Sequence, residues 1–163
     1  MDGYGTSAGY IVSSGKANDA SHKGVNMNPH GAKILVVEDD ESHRYLMAHL
    51  LERTGHNVSL AIDGCEALHQ MFQRAFDVVV TDWEMPGLKG SDFLRLSQIL
   101  WPNTPVIIVS ARTIASPDDT PEGAFAWIRK PYRAHELLQV LHEAVQASLH
   151  LREAQINIMP SRG

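Results

Sequence analysis

Phe76-Asp77-Val78-Val79-Val80-Thr81-Asp82-Trp83-Glu84-Met85-Pro86-Gly87 is the stretch that decides the fold. Three consecutive valines read as a strand buried on both faces, the pattern of an interior strand in a parallel sheet. Pro86-Gly87 is a turn signal that ends the strand within a few residues. Asp82 is therefore a carboxylate held where a strand runs out, on the edge where open α/β sheets place their chemistry. A structural acid, a metal ligand and a nucleophile all fit that position, and its neighbours decide among them.

On either side of this strand the same signals alternate. Lys33-Ile34-Leu35-Val36-Val37 is a short apolar strand ending in Glu38-Asp39-Asp40. A helix follows with Leu46, Met47, Leu50 and Leu51 on one face and Gly55 as its stop. Residues 58–62 read as a strand, and Asp63-Gly64 opens a helix carrying Ala67, Leu68 and Met71. Beyond Asp82, residues 92–100 form a helix closed by Trp101-Pro102-Asn103, and Pro105 to Ser110 is a fourth strand. Ala126-Trp127-Ile128-Arg129 is a short fifth, and the last helix runs from about residue 133 to 149. Strands alternating with helices imply right-handed crossovers. The expected fold is α/β: a five-stranded, doubly wound parallel sheet of flavodoxin-like order 2-1-3-4-5.

Composition sets the outer bounds. The 163 residues support one domain with a real core, and 44% hydrophobic with 20% charged residues fits an ordinary globule. A net charge of −5 argues against direct nucleic-acid binding, which needs a basic face. The one cysteine, Cys65, gives neither a disulfide framework nor a metal cluster and reads as a partly buried helix residue. No stretch is apolar enough to span a membrane and the N-terminus lacks a secretory layout, so a cytoplasmic protein is expected. Residues 1–32 hold half of the glycines with no apolar period and read as disordered; residues 33–150 carry the domain, and residues 151–163 read as a flexible tail.

Four strand ends carry polar groups: Glu38 and Asp39, Asp82, Ser110 and Lys130. In a parallel sheet these ends share one edge, and the order 2-1-3-4-5 makes the first and third strands neighbours at the switch point. Two carboxylates ~5 Å apart repel by roughly 3 kcal/mol at an effective dielectric of 20. Three together raise a pKa or recruit a divalent cation, and hard oxygen ligands favour Mg²⁺. Singly, each is an ordinary loop acid; the set with Ser110 and Lys130 is not. A carboxylate attacking phosphorus gives an acyl phosphate, while a metal, a lysine and a hydroxyl offset charge on the phosphoryl oxygens. Asp82 is the candidate nucleophile, Glu38 and Asp39 hold the metal, Lys130 is the cation and Ser110 the hydroxyl.

Lys33-Ile34-Leu35-Val36-Val37-Glu38-Asp39-Asp40, Asp82-Trp83-Glu84-Met85-Pro86-Gly87, Val109-Ser110-Ala111 and Arg129-Lys130-Pro131-Tyr132 together resemble the receiver domain of two-component response regulators. The resemblance covers about residues 32–150 in order and at family-like spacing. It implies that Asp82 accepts phosphate from a sensor histidine kinase or a histidine phosphotransfer protein, with Mg²⁺ as cofactor. It also implies that the Glu84 carbonyl completes the Mg²⁺ site and that Lys130-Pro131 is a cis peptide. Ser110 would move toward the phosphate, and Trp127 would hold the aromatic switch position. From the residues alone, Trp127 is equally a strand residue packed on the core.

Two departures stand out. Between Ser110 and Lys130 the family has a full fourth helix, but residues 111–124 carry Pro117, Pro121 and Gly123. Prolines remove donors and restrict the residue before them, so a shortened or irregular helix is expected, with an atypical output surface. Second, Glu84 and Arg112 each lie two residues beyond a site residue. In receivers these positions flank the path of the attacking water, so a Glu84–Arg112 pair would lengthen the phosphoryl lifetime; two solvated side chains is the competing reading.

No helix-turn-helix, cyclase or hydrolase signature follows residue 150, so the expectation is either a stand-alone receiver with output through an unidentified downstream protein or a receiver belonging to a longer regulator or hybrid kinase. The last helix is long enough to pair with a second copy or to lead into a linker. His135, His142 and His150 share a face of it at spacings wider than the usual zinc pair. Two alternatives remain at this point. A haloacid-dehalogenase-like phosphatase also uses an aspartate nucleophile with Mg²⁺ and a second acid two residues on. That class has a full Asp-x-Asp on its first strand and a cap, which this sequence lacks. A pseudo-receiver that binds a partner without phosphorylation is the other, and the complete acid set with Ser110 and Lys130 argues against it.

Overall fold

The computed structural model describes residues 6–7, 10–12, 31–113 and 121–158, the first two segments and residues 156–158 by their backbone alone. Its elements are β1 (Thr6–Ser7), β2 (Tyr10–Val12), β3 (Lys33–Val37), α1 (Glu41–Arg53), β4 (Asn57–Ala61) and α2 (Gly64–Gln73). They continue with β5 (Val78–Asp82), α3 (Gly90–Leu100), β6 (Val106–Ser110), β7 (Ala126–Arg129) and α4 (Ala134–Ile158). Strands β4-β3-β5-β6-β7 lie side by side and parallel, which is the expected order 2-1-3-4-5.

Period-two alternation divides the interior. Ile34, Val36, Val78, Val80, Ile107, Val109 and Ile128 face α1 and α4, where Met47, Leu51, Leu137 and Leu141 meet them. Leu35, Val37, Val79, Ile108 and Trp127 face the other layer, built from Ala67 and Met71 of α2 and Phe93 and Leu94 of α3. Helices on both faces explain why β5 and β6 are buried at every position. Helix α1 starts on the Asp40 side chain, which accepts from the His43 N–H at 2.8 Å, and stops at Gly55, whose φ of 88° suits a residue without Cβ.

Three expectations need correction. Residues 1–32 were expected to be disordered throughout. Instead β2 pairs antiparallel with β7 and β1 with β2, so the sheet has seven strands. Tyr10-Ile11-Val12 is a short aromatic and β-branched run, enough to add a ladder to an edge strand although too brief to show a period. Residues 1–5, 8–9 and 13–30 lie outside the described residues. Of the tail expected at residues 151–163, residues 151–158 continue the last helix, with Arg152 reaching back to Asp77 at 2.5 Å and to the Phe76 carbonyl at 3.0 Å, and residues 159–163 lie outside the described residues. Cys65 is exposed rather than partly buried, since it lies on the solvent side of the first turn of α2. The expected irregular fourth helix falls mostly on residues 114–120, outside the described residues; its described flanks, 111–113 and 121–124, are bends and turns.

Candidate functional site

Strand register builds the site. Val37 pairs with Thr81, so Glu38 stands level with Asp82 at the next step. Asp82 pairs with Val109 and Ser110 with Arg129, so Ser110 and Lys130 each follow one residue beyond on adjacent strands. Four separate segments thus bring Glu38, Asp39, Asp82, Ser110 and Lys130 to one edge, as expected. Ligand oxygens of Glu38, Asp39 and Asp82 lie within 4.8 Å of one another.

Hydrogen bonds fix each group. The Lys130 ammonium donates to Asp82 Oδ2 at 2.7 Å and to Glu38 Oε2 at 2.8 Å. The other oxygen of Asp82 accepts the Glu84 N–H at 2.9 Å, so the carboxylate is held from both sides. Glu38 is 2% exposed and Asp82 8%, whereas Asp39 is exposed. Burial pulls the Lys130 pKa down, but hydrogen bonds to Asp82 and Glu38 and the charge of both outweigh it and leave the pKa raised. The lysine is a permanent cation. Ser110 is fully buried and its Oγ accepts the Arg112 N–H at 3.0 Å. The Lys130–Pro131 peptide is cis, as the resemblance implies.

The donor set fits a hard divalent cation. Three carboxylates and one lysine, −3 and +1, sum to −2. An octahedral ion with ~2.1 Å bonds needs ligand oxygens about 3–4.2 Å apart, close to the spacing present. Neither histidine nor cysteine is part of the cluster.

Trp127 is turned inward, 2% exposed, and meets Trp83 edge to face with ring centroids 5.4 Å apart. Its indole N–H has no hydrogen-bond partner among the described residues. Glu84 and Arg112 are both exposed on the rim and form no ion pair with each other. The pair expected from sequence is therefore not closed in this conformation.

Arg44 was not among the residues expected at the site. It is buried on the inner face of α1 and donates to the carbonyls of Glu38 at 2.8 Å and Asp39 at 3.2 Å, tying the acidic strand end to the helix. A cation interrupting the apolar face that continues with Met47 and Leu51 was the available signal. Gly90 was also missed: a Cβ there would stand 2.6 Å from the Trp83 carbonyl, so only glycine lets α3 begin against the loop beside Asp82. Next to Lys130, an apolar groove of about 620 Å³ is lined by Leu46, Met47, Leu50, Pro131 and Tyr132, with His43 at its rim.

Residues 34–142 match the family model of the response regulator receiver domain. The chain belongs to that family. Receiver domains are signalling domains, and the phosphatase and binding-module alternatives are not favoured. The receiver is 33% identical over 132 residues to the sensory/regulatory protein RpfC of Xanthomonas campestris pv. campestris, a match covering 73% of this chain and 17% of that protein. It is 35% identical over 124 residues to the transcriptional regulatory protein ZraR of Escherichia coli O157:H7, covering 75% of this chain and 28% of that one. The chain thus spans well under a third of these curated relatives. A receiver domain protein from Clostridium thermocellum shares the fold with a TM-score of 0.67 at 33% identity, covering 74% of this chain and 98% of that one. Among the described residues no helix is long and apolar enough to cross a membrane.

Proposed function

We propose that Asp82 accepts a phosphoryl group from a phosphohistidine of a sensor histidine kinase or histidine phosphotransfer protein, and that the phosphorylated domain signals by binding another protein. The arrangement around Asp82 carries this reading: a mostly buried carboxylate gripped by a lysine that also holds Glu38, inside an acid set of charge −2. An Asp82 oxygen attacks phosphorus, the phosphorus–nitrogen bond breaks, and the departing imidazole takes a proton. Lys130 exchanges its contact with the carboxylate for one with a phosphoryl oxygen, and the Ser110 hydroxyl donates to another. Glu38, Asp39, Asp82 and the Glu84 carbonyl would hold Mg²⁺, which when bound offsets charge on the phosphoryl oxygens.

The apolar groove beside Lys130 is suited to a donor helix, which delivers its histidine to the strand ends. Trp127, in contact with Trp83 two strands away, reports occupancy of Asp82 toward β7. No enzymatic activity beyond phosphoryl transfer to itself and its hydrolysis is part of this reading, nor is direct nucleic-acid binding. The protein acts in the cytoplasm, where such donors present phosphohistidine, and α4 is long enough to pair with a second copy. Titration with beryllofluoride and Mg²⁺, followed by tryptophan fluorescence, tests the site. Stoichiometric quenching that Asp82→Asn abolishes is expected, whereas turnover of a phosphomonoester, or no response, would contradict it.

A further inference from the structure

Strand β7 is the outer strand of the parallel sheet, and its first three residues, Ala126, Trp127 and Ile128, carry no charge, proline or bulge; Arg129, exposed at its end, is the strand's one charge. Edge strands without such features are templates for pairing with another chain. Here the edge is occupied from within: Tyr10 pairs with Ile128, Ile11 with Trp127 and Val12 with Ala126, and β1 folds back on β2 through Thr6–Ile11 and Ser7–Tyr10. We infer that β1 and β2 are an intrachain cover on β7, and that this cover blocks the edge from pairing with β7 of a second copy.

Chain length allows it. Twenty residues, 13–32, join β2 to β3, and β3 lies four strand positions from β2 in the sheet. Four spacings are about 19 Å, while 20 residues reach up to roughly 66 Å. The tether costs little closure entropy and holds the strand at high effective concentration, so β2 outcompetes a second copy on its own β7. Two uncovered copies would meet in an isologous contact, the same strand pairing with itself antiparallel. The covered edge also includes Trp127, whose ring touches Trp83 next to Asp82, so the cover sits one side chain from the phosphoacceptor loop.

Alternate residues of an antiparallel strand direct their N–H groups to one neighbour, so of Tyr10 and Ile11 one donates toward β7. The double variant Tyr10→Pro/Ile11→Pro in the full chain removes that donor whichever it is. Those backbone amides of Ala126–Ile128 that point toward β2 are expected to exchange at least about tenfold faster than in the parent, while those that point toward β6 stay protected. The variant is expected to dimerise at concentrations where the parent sediments as a monomer. A synthetic peptide of residues 4–14 added to the variant should restore both slow exchange and the monomer, which separates a lost cover from damaged folding. Equal exchange in parent and variant overturns the cover. A variant that remains monomeric while exchanging fast overturns the blocking role, and failure of the peptide to restore either property overturns both.

Discussion

Arg44 shows what a single residue does here. Its guanidinium is buried and bonds two successive carbonyls at the strand end that carries Glu38 and Asp39. Arg44→Ala leaves those carbonyls without a partner, at a cost of about 1–3 kcal/mol, and loosens two of the three acids. Thermal unfolding should shift down and phosphorylation from acetyl phosphate should slow severalfold; Arg44→Lys should not fully restore either, because the shorter lysine side chain does not place its ammonium where Arg44 Nη1 makes both bonds. An Arg44→Ala protein with parental stability and rate would remove the residue from the account. Glu84 and Arg112 act at the rim. If they hinder the attacking water, Glu84→Ala and Arg112→Ala each shorten the phosphoryl lifetime by up to about fivefold, the effect of ~1 kcal/mol between exposed charges. Unchanged dephosphorylation rates would leave them as two solvated side chains. The five principal site residues were legible in the sequence because each ends an apolar strand. Arg44 was not, because its partners are backbone carbonyls that only the turn into α1 brings within reach.

At the scale of elements, the five parallel strands and most helices follow from runs of β-branched residues and apolar spacing. The exceptions are instructive. Helix α4 keeps its inward period through Ala144, Ser148 and Leu151, and its last part is anchored by a contact 75 positions back in the chain, Arg152 with Asp77. Such a contact leaves no local signature. Asp77 also accepts the Lys33 N–H at 2.6 Å, so one carboxylate joins α4 to the start of β3. Arg152→Ala should cost about 1–3 kcal/mol, since it removes a charge-assisted bond to a buried acid. Amides beyond Ser148 should exchange faster while those of β5 stay protected; uniform exchange along α4 in the variant would contradict this. The strands at residues 6–7 and 10–12 were equally hidden, because their ladder depends on an uncovered edge formed more than a hundred residues later.

For the whole molecule, acid sensitivity is one consequence of the packing. His56 accepts the Ala32 N–H at Nδ1, 3.3 Å away. Burial first, and then the charge of His142, hold its pKa below 6.5, against the opposing pull of Asp77. The folded state therefore favours neutral imidazole, and the unfolded chain takes up the proton first as pH falls. The stability from this site is complete above 6.5 and is lost as pH drops from there through the lower folded value. Urea unfolding at about pH 7.5 and about pH 5.5 should show a loss of stability that His56→Asn reduces; an identical loss in the variant would assign the effect elsewhere. The proposed function rests on one chemical event, phosphoryl transfer to Asp82. Incubation of the full chain with acetyl phosphate and Mg²⁺, followed by intact-mass and fragment mapping, tests it most directly. One phosphoryl group is expected, on Asp82, and none on Asp82→Asn; no modification, or a phosphoryl group on another residue, would overturn the proposed function.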